Sequence, residues 1–500
     1  MLTLTVLLPI AGAVVLMAWR GAGERTARRF AVAASLIPLL LLIVVWTGFD
    51  TGERAPAFQQ VEEARWIPSL GVAWRVGVDG IGLAIAVMSA VVFTAAIAWP
   101  PEAPTSGQDR HRSYYAWLLF LQGVSLGVFV VLDLLVFYVL FDLSLVGMYF
   151  LIGRWGHGDA PRAALKFFVY TLAGSLAILL AIIGLALGMN PLSFDMRELI
   201  ARQPLAGAGL SAAMVLFGFF FGFAIKAPLF PLHTWLPPAH VESPGPVSAI
   251  LAGVLLKMGG YGLIRIPLSM MRDTFERYAL ALGILAVISI VYGALVALGQ
   301  RNLKRRIAYT SVNHMGYAVL GIASAGALVG EADAARQLAL TGAVVEMVAH
   351  GLITGALFLI AGAFWQRAGT YELDEFGGLA KVAPRLTVFA TVGAFASLGL
   401  PGLAGFVGEF QVFAGTFAVY PWLAAIGLLG ILVTAALFLQ MLQRLFFGEL
   451  PQRWTSFSDV RRSEVAVLTV LLVMVIAIGV YPRWLLAIVD ASSRLIVRGG

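Results

Sequence analysis

The stretch that decides the fold is residues 216–257, LFGFFFGFAIKAPLFPLHTWLPPAHVESPGPVSAILAGVLLK. Lys226 lies inside a long apolar run, and Lys257 lies inside a second one. Prolines interrupt the chain between them, at Pro228, Pro231, Pro237, Pro238, Pro244 and Pro246. A lysine within hydrocarbon costs about 2.5–3.5 kcal/mol, and a broken helix frees backbone groups that need polar surroundings. The combination is typical of an ion path through a membrane.

The composition is that of a polytopic membrane protein. Of the 500 residues, 60% are hydrophobic and only 12% are charged, and the mean hydropathy is +0.90. Soluble proteins are about 25% charged. The chain has no cysteine, which excludes thiolate-ligated iron–sulfur clusters, zinc–thiolate sites and disulfides within it. The net charge of +7 is too diffuse to indicate nucleic acid.

Apolar stretches long enough to span a membrane recur along the whole chain. The first starts at Met1 without a basic leader or a clear cleavage site, so we expect it to be retained. The 386–417 stretch is interrupted at Leu400-Pro401-Gly402, and residues 49–78 are polar enough for a surface loop. Fourteen spans are predicted: 2–19, 29–48, 79–99, 114–132, 134–153, 165–188, 212–232, 246–268, 278–299, 306–325, 338–365, 386–417, 422–446 and 464–486.

The distribution of lysine and arginine predicts the orientation. The loops after odd-numbered spans carry more of these residues than the loops after even-numbered spans and the C-terminal tail. Basic residues favour the cytoplasmic side. We therefore expect a multi-pass protein of the bacterial inner membrane with both termini on the outer side.

Two interrupted spans indicate an internal repeat. The seventh contains Lys226 in AIKAPLFPL, and the twelfth contains Glu409 in GLPGLAGFVGEF. They are five spans apart, so they enter the membrane from opposite sides, and paired interrupted segments point to a transport site. The predicted fold is all-α, with two inverted five-helix repeats, spans 4–8 and 9–13. The corresponding division is 1–113, 114–268, 278–446 and 447–500.

Buried ionisable residues are the candidates for the chemistry. Asp142, in FYVLFDLSLVGMYF, is a candidate partner for Lys226, because a carboxylate and an ammonium in a low dielectric keep each other charged. Such a pair can load and unload a proton, since desolvation lets a lysine lose its proton and an arginine resists this. The alternative for each residue is a static pair that only fixes packing.

Two histidines predict a relay between the lysines and Glu409. His314 and His350 lie in neighbouring spans, and imidazole passes protons near neutral pH. Each could instead be a hydrogen-bonded core residue. Glu346 precedes His350 by one helical turn, so it could tune His350 or have no role.

The remaining polar candidates lie outside this line. In the proline-rich connector, His233, His240 and Glu242 could take up protons from the cytoplasm, or could simply be hydrogen-bonded there. Asp79 is predicted to start a helix, and Asp133 is predicted to lie in a turn. No HxxxH or HExxH spacing, haem-like histidine pair or phosphate-binding loop occurs. The sequence therefore predicts no cofactor or metal site in this chain.

The longest motifs resemble a known family. KAPLFPLHTWLPPAHVESPGPVSAILAGVLLKMGGYGLIR, FYVLFDLSLVGMYFLIGRWG, RNLKRRIAYTSVNHMGYAVLG and LGLPGLAGFVGEFQVF are similar to the proton-translocating, antiporter-like subunits of respiratory complex I and of Mrp-type antiporters. Glutamate at position 409 resembles the M-type, chain-4-like group of complex I, whereas the L- and N-type groups usually have lysine there.

The resemblance implies a translocase subunit of NADH:quinone oxidoreductase. Quinone reduction elsewhere in the complex would drive protons along an axis, while NADH, FMN, iron–sulfur clusters and quinone would bind other subunits. Neighbours would be L- and N-type subunits and lipid. Two departures stand out, because Asp142 replaces the usual glutamate and Pro238 replaces an aspartate. The implied axis contains Asp142, Lys226, Lys257, His314, His350 and Glu409.

Two other functions fit the same residues. The chain could belong to an Mrp-type cation/proton antiporter or a membrane-bound hydrogenase, which would use the axis without NADH or quinone. It could also be a structural spacer whose axis no longer conducts, since Asp142 and Pro238 depart from the usual pattern.

Overall fold

The computed structural model describes residues 1–101, 108–327 and 332–499 and is mainly helical. The N-terminal half contains α1 (Leu2–Ala18), α2 (Glu24–Thr47), α3 (Gly80–Ala98), α4 (Gln108–Val130), α5 (Leu134–Trp155), α6 (Ala160–Leu187), α7 (Met196–Arg202), α8 (Leu210–Lys226) and α9 (Leu236–Glu242). The C-terminal half contains α10 (Gly245–Leu268), α11 (Arg272–Gly299), α12 (Leu303–Ala325), α13 (Asp333–Ala368), α14 (Pro384–Ser397), α15 (Ala404–Val419), α16 (Pro421–Phe446), α17 (Arg462–Val480) and α18 (Arg483–Arg498).

The helices confirm an all-α polytopic membrane protein. Within the described ranges, ten helices are long and apolar enough to cross a membrane, and α1, α8 and α15 are shorter apolar helices. Helix α12 is long enough to cross a membrane, but its sequence is too polar to be recognised as a span by hydropathy. The count of fourteen spans and the division into inverted repeats therefore stay predictions.

Helix α8 is interrupted where its prolines predict. It ends at Lys226, and the short helix α9 follows before α10 begins at Gly245. Proline removes a backbone donor and blocks helix continuation. Lys226 therefore lies at the end of a helix and not in the middle of a continuous one.

A second interruption separates α14 from α15. Gly399 and Gly402 have φ angles of 76° and 91°, a left-handed conformation that glycine adopts without a steric penalty. A Cβ on Gly405 would collide with the carbonyl oxygen of Ala396 across the break. The break thus brings the start of α15, and with it Glu409, close to the end of α14.

Helix α10 crosses the centre of the bundle and is entirely buried. Its first and last parts contain π-helical turns at Leu251–Leu255 and Ile264–Leu268, on either side of Lys257. Such turns are rare and are frequent at functional sites. The sequence analysis did not predict them.

Residues 49–78, predicted to be a surface loop, instead contain an antiparallel hairpin of β1 (Gln59–Ile67) and β2 (Val72–Val78). In its register, Gln59 pairs with Val78 and Ala64 pairs with Trp74. Val72, Val76 and Val78 are buried against the bundle, and this alternation of β-branched residues was the available signal.

The C-terminal tail also has a defined structure. Helix α18 buries Leu485, Val489 and Ser492, and the Ser492 hydroxyl accepts a 2.7 Å hydrogen bond from the backbone nitrogen of Gly80. Asp490 accepts a 2.6 Å bond from Thr341. The tail was predicted only as residues following the last span, and it instead forms a helix that packs on α3 and α13.

Candidate functional site

Lys226 is buried at the end of α8, with 1% of its surface exposed. Its ammonium lies 3.4 Å from the Ser144 hydroxyl and 4.8 Å from the centre of the Phe141 ring. Asp142 lies on the same helix as these two residues and accepts a 2.7 Å hydrogen bond from Ser175. Hydroxyl and aromatic contacts thus compensate part of the cost of burying the ammonium.

Asp142 and Lys226 are close enough for their charges to interact. Among the described residues, the ion pairs of 4.0 Å or less do not include these two side chains. The pair is an electrostatic interaction at a distance and not a direct hydrogen bond.

Lys257 is fully buried in the middle of α10. Its ammonium nitrogen is 2.6 Å from the carbonyl oxygen of Ala252 and 2.5 Å from Nδ1 of His350. An ammonium can only donate hydrogen bonds, so a charged Lys257 requires His350 to accept at Nδ1. A lysine and a histidine from two different helices are therefore in direct contact.

His314 lies at the other side of His350, with the two ring centres 5.5 Å apart. Nδ1 of His314 is 3.0 Å from a carboxylate oxygen of Glu346 and 3.8 Å from one of Glu409. Nε2 of His314 is 3.1 Å from the Ser397 hydroxyl. Both ring nitrogens therefore have polar partners.

Glu346 takes a different position from the predicted one. It shares a helix with His350, but its carboxylate contacts His314 on the neighbouring helix α12. The Nδ1 atom of His350 is already bound to Lys257, and α12 packs against this face of α13. Glu346 thus belongs to the cluster around His314 and does not tune His350 by direct contact.

The connector residues occupy three separate surroundings. His240 is fully buried and stacks 4.3 Å from Phe358, and neither of its ring nitrogens has a hydrogen-bond partner among the residues that the structure describes. Charges on Lys257 and His350 interact with it. His233 lies among aromatic rings, including Tyr292 at 5.2 Å. Of the two histidines, His240 is the one beside the axis.

Glu242 lies at the edge of the bundle, where its carbonyl oxygen accepts a 2.9 Å hydrogen bond from the backbone nitrogen of His157. The imidazole of His157 stacks 4.2 Å from Trp365. Burial, and secondarily the charge of Lys304, lowers the pKa of His157 to about 4. This loop histidine is uncharged at neutral pH, and its ring packs on Trp365 while its backbone bonds to Glu242.

Lys304 was not predicted as a buried residue. It is fully buried at the start of α12, donates to the carbonyl oxygen of Ser243, and lies 5.1 Å from the centre of the Tyr371 ring. Its sequence surroundings, RNLKRR, read as a basic loop. The sequence carried no signal that one of these cations points inward, towards the connector that contains His240.

Asp79 starts a helix, as predicted, whereas Asp133, predicted to lie in a turn, is the residue that caps the start of α5. Asp79 accepts a 2.8 Å hydrogen bond from the nitrogen of Gly82, and Asp133 accepts bonds from Leu135 and Val136. Asp79 also forms a buried 2.5 Å ion pair with Arg265. Both aspartates lie outside the axis.

One cluster has the donor set of a metal site. His314, Glu346 and Glu409 each offer one ligand atom, and the three atoms lie within 4.8 Å of one another. No metal site was predicted from the sequence, because no HxxxH or HExxH spacing occurs, and these three residues come from three separate helices. Two carboxylates and an imidazole are equally the groups that accept and release protons.

Comparisons with known proteins show which family the chain resembles. A family model described as "NADH:quinone oxidoreductase/Mrp antiporter, TM" matches residues 132–437. NAD(P)H-quinone oxidoreductase chain 4 1 of Picosynechococcus sp. is 38% identical over 96% of this chain and 89% of its own length. Chain 4 2 of Thermosynechococcus vestitus is 38% identical over 99% of this chain and 92% of its own.

Solved structures resemble the whole chain. A chain of respiratory complex I from Thermus thermophilus with bound NADH has a TM-score of 0.85 and 30% identity, covering 99% of this chain and 100% of that one. A chain of the Mrp complex from Dietzia has the same TM-score at 21% identity, covering 99% of this chain and 97% of that one. The second likeness shows the fold alone.

Proposed function

The chain belongs to the NADH:quinone oxidoreductase/Mrp antiporter transmembrane family, and from this membership we propose that it is a proton-translocating subunit of an NAD(P)H:quinone oxidoreductase complex. It is a multi-pass membrane protein that works beside other membrane subunits. NADH, FMN, iron–sulfur clusters and quinone bind elsewhere in the complex. The membrane is a bacterial inner membrane with both chain termini outside, and L- and N-type subunits are the neighbours.

The observation that carries the proposal is the direct contact between Lys257 and His350, continued to His314. A buried lysine touching a buried histidine is costly unless the pair has a task. Imidazole can accept a proton at one nitrogen and release it from the other. The contact therefore supports proton transfer from α10 to α13 and onward to α12.

The proposed path begins at Asp142 and Lys226. A change of charge in a neighbouring subunit alters the balance between them, and the proton of Lys226 moves towards Lys257. His350 and His314 pass it on, and Glu409 releases it. His240 is the uptake candidate that lies beside Lys257 and His350, while His233 and Glu242 are less direct candidates.

The energy must come from outside this chain. Moving one charge against 100 mV takes about 2.3 kcal/mol, and the cysteine-free sequence holds no thiolate-ligated cluster to supply it. A buried charge pair with two arrangements is a local electrostatic switch. Redox chemistry in other subunits would set the switch, and this chain would move the proton.

The relatives favour this function over the antiporter alternative. They are quinone oxidoreductase chains that align over nearly the full length, whereas the likeness to the Mrp chain shows the fold alone. Expression of the genes for quinone-site subunits beside this one would support the oxidoreductase, and their replacement by antiporter genes would contradict it.

The test uses the assembled complex in sealed vesicles. Lys257→Met and Glu409→Gln each remove a proton carrier, so we expect proton uptake per electron to fall by about 10²-fold or more. Lys381→Met makes the same chemical change at an exposed lysine and should pump normally. Near-normal pumping by either axis variant would refute the relay.

A further inference from the structure

We propose that Glu346 and Glu409 form a carboxyl pair that holds one proton between them through His314, which makes Glu346 a second proton carrier. The inference rests on the proposed function, because it adds a carrier to the same axis. In this proposal, Glu346 carries a proton and does not only orient a histidine.

The geometry brings the carboxyl pair around one imidazole nitrogen. Nδ1 of His314 lies 3.0 Å from a Glu346 oxygen and 3.8 Å from a Glu409 oxygen. One ligand atom from each of the three residues lies within 4.8 Å of the others. A single N–H on His314 can therefore bond to either carboxyl after a small movement.

The surroundings do not supply enough positive charge for two carboxylates. Among the described residues, no lysine or arginine nitrogen lies within 4.0 Å of either carboxyl group, and Nδ1 of His314 is the nitrogen that both carboxyl groups share. Other groups near the pair are the Tyr317 hydroxyl on α12, Ser397 on α14, and Lys257, which is in contact with His350. Two buried like charges this close cannot both ionise. One proton therefore stays on the pair.

The packing fits each carboxyl group closely. Within the described part of the chain, the second oxygen of Glu346 has no hydrogen-bond partner, and a Cβ on Gly408 would lie 2.9 Å from it. Gly399 has φ +76° and faces Glu409, whose carboxylate a Cβ would overlap. At Gly408 a Cβ would also lie 2.7 Å from the backbone nitrogen of Glu346, so this glycine lets α15 approach α13 closely. The helix break of α14 and α15 thus shapes a pocket for two carboxyl groups.

The proton balance of the step is complete within these residues. A proton that reaches His314 makes an imidazolium, which gives its Nδ1 proton to an oxygen of Glu346 or Glu409. His314 returns to the neutral form, and an O–H bond has formed on the carboxyl pair. Release from Glu409 leaves a carboxylate, and the proton on Glu346 replaces the lost one through His314.

The first test looks for the shared proton directly. In the assembled complex, infrared difference spectra should show the carbonyl stretch of a protonated carboxyl group. The band should be lost or shifted in both Glu346→Gln and Glu409→Gln. Glu449→Gln makes the same change at an exposed glutamate and should leave the band intact. A band unchanged by Glu346→Gln would overturn the inference.

The second test separates this inference from the proposed function. Proton uptake per electron should fall by at least about tenfold in Glu346→Gln, and the double variant with Glu409→Gln should be no worse than Glu409→Gln alone, since the two act as one unit. Normal pumping by Glu409→Gln would sink the relay itself. Blocked pumping by Glu409→Gln with normal pumping by Glu346→Gln would sink only the carboxyl pair.

A bound cation is the competing occupant of the cluster. If it held Na⁺, pumping would depend on sodium, and adding NaCl to sodium-free vesicles would remove any protonated-carboxyl band. That outcome would overturn the inference. Pumping and an infrared band that are both unaffected by sodium would support it.

Discussion

Lys226 makes contacts that favour its charged form, and its proposed role as a proton carrier requires that it lose its proton. Its ammonium faces the Phe141 ring and the Ser144 hydroxyl, and Asp142 lies close enough for its charge to act. A guanidinium would keep the charge and stack on the ring, but it does not release a proton at accessible pH. Substitution of Lys226 by arginine therefore separates the role of a fixed positive charge from the role of a proton carrier.

Lys226→Arg should assemble normally and fail to pump. We expect proton uptake per electron to fall by about 10²-fold or more, because the carrier can no longer be deprotonated. The measurement is dye-reported proton uptake in sealed vesicles, with Lys381→Arg as the control at an exposed site. Full pumping by Lys226→Arg would show that Lys226 is a fixed charge and not a carrier.

At the scale of elements, the α8 break depends on a close approach by α10. A Cβ on Gly259 would lie 2.6 Å from the backbone nitrogen of Ala227 and 2.9 Å from the carbonyl oxygen of Phe223. Both neighbours are backbone atoms, which cannot rotate away as a side chain can. Glycine at position 259 thus fixes how closely the Lys226 end of α8 approaches the Lys257 helix.

Gly259→Ala should destabilise the subunit by about 1–3 kcal/mol, as overpacking a tight contact does. Gly299→Ala is the matched control, because that position has open space. Stepwise heating followed by native electrophoresis would measure loss of the subunit from the complex. Equal heat resistance of the two variants would show that the helices separate easily and that the contact is not tight.

The membrane helices that carry a charged residue inside an apolar run could be predicted from the sequence. Lys226, Lys257 and Glu409 stand out because insertion of a charge into hydrocarbon is costly, and prolines or glycines beside them predicted both helix breaks. Lys304 did not stand out, because a lysine among arginines is expected to lie in water. The contact of Glu346 with His314 depends on how α12 and α13 pack, which periodicity along one helix does not contain.

The π-helical turns of α10 and the hairpin of β1 and β2 were missed for different reasons. A π-helical turn depends on the crowding around Lys257 and leaves no compositional mark. The hairpin did have a sequence signal, the alternating valines of β2, but the polar residues of β1 made the whole segment look like a surface loop. The sequence therefore predicted features that depend on the free-energy cost of burying a single charged residue, and it did not predict features that depend on how the elements pack.

For the whole molecule, a few buried ion pairs outside the axis hold the bundle together. Arg367, in the last turn of α13, forms a 2.6 Å ion pair with Glu464, in the first turn of α17. The side chains are 6% and 0% exposed. Arg367 also donates hydrogen bonds to the carbonyl oxygens of Ser458 and Asp459. The pair ties the C-terminal span to α13, the helix that carries Glu346 and His350.

Glu464→Gln should reduce the amount of assembled complex without changing its proton-to-electron ratio. Removing one partner of a buried pair leaves an uncompensated charge and costs about 3–5 kcal/mol. The exposed pair of Arg444 and Asp374, 2.8 Å apart, provides the control, since Asp374→Asn should cost at most about 1 kcal/mol. Yield and heat resistance after detergent extraction would measure the first effect, and vesicle pumping normalised to electron transfer would measure the second. A lowered proton-to-electron ratio in the assembled Glu464→Gln complex would mean that this pair communicates with the axis, because a purely structural pair changes how many molecules assemble and not what each one does.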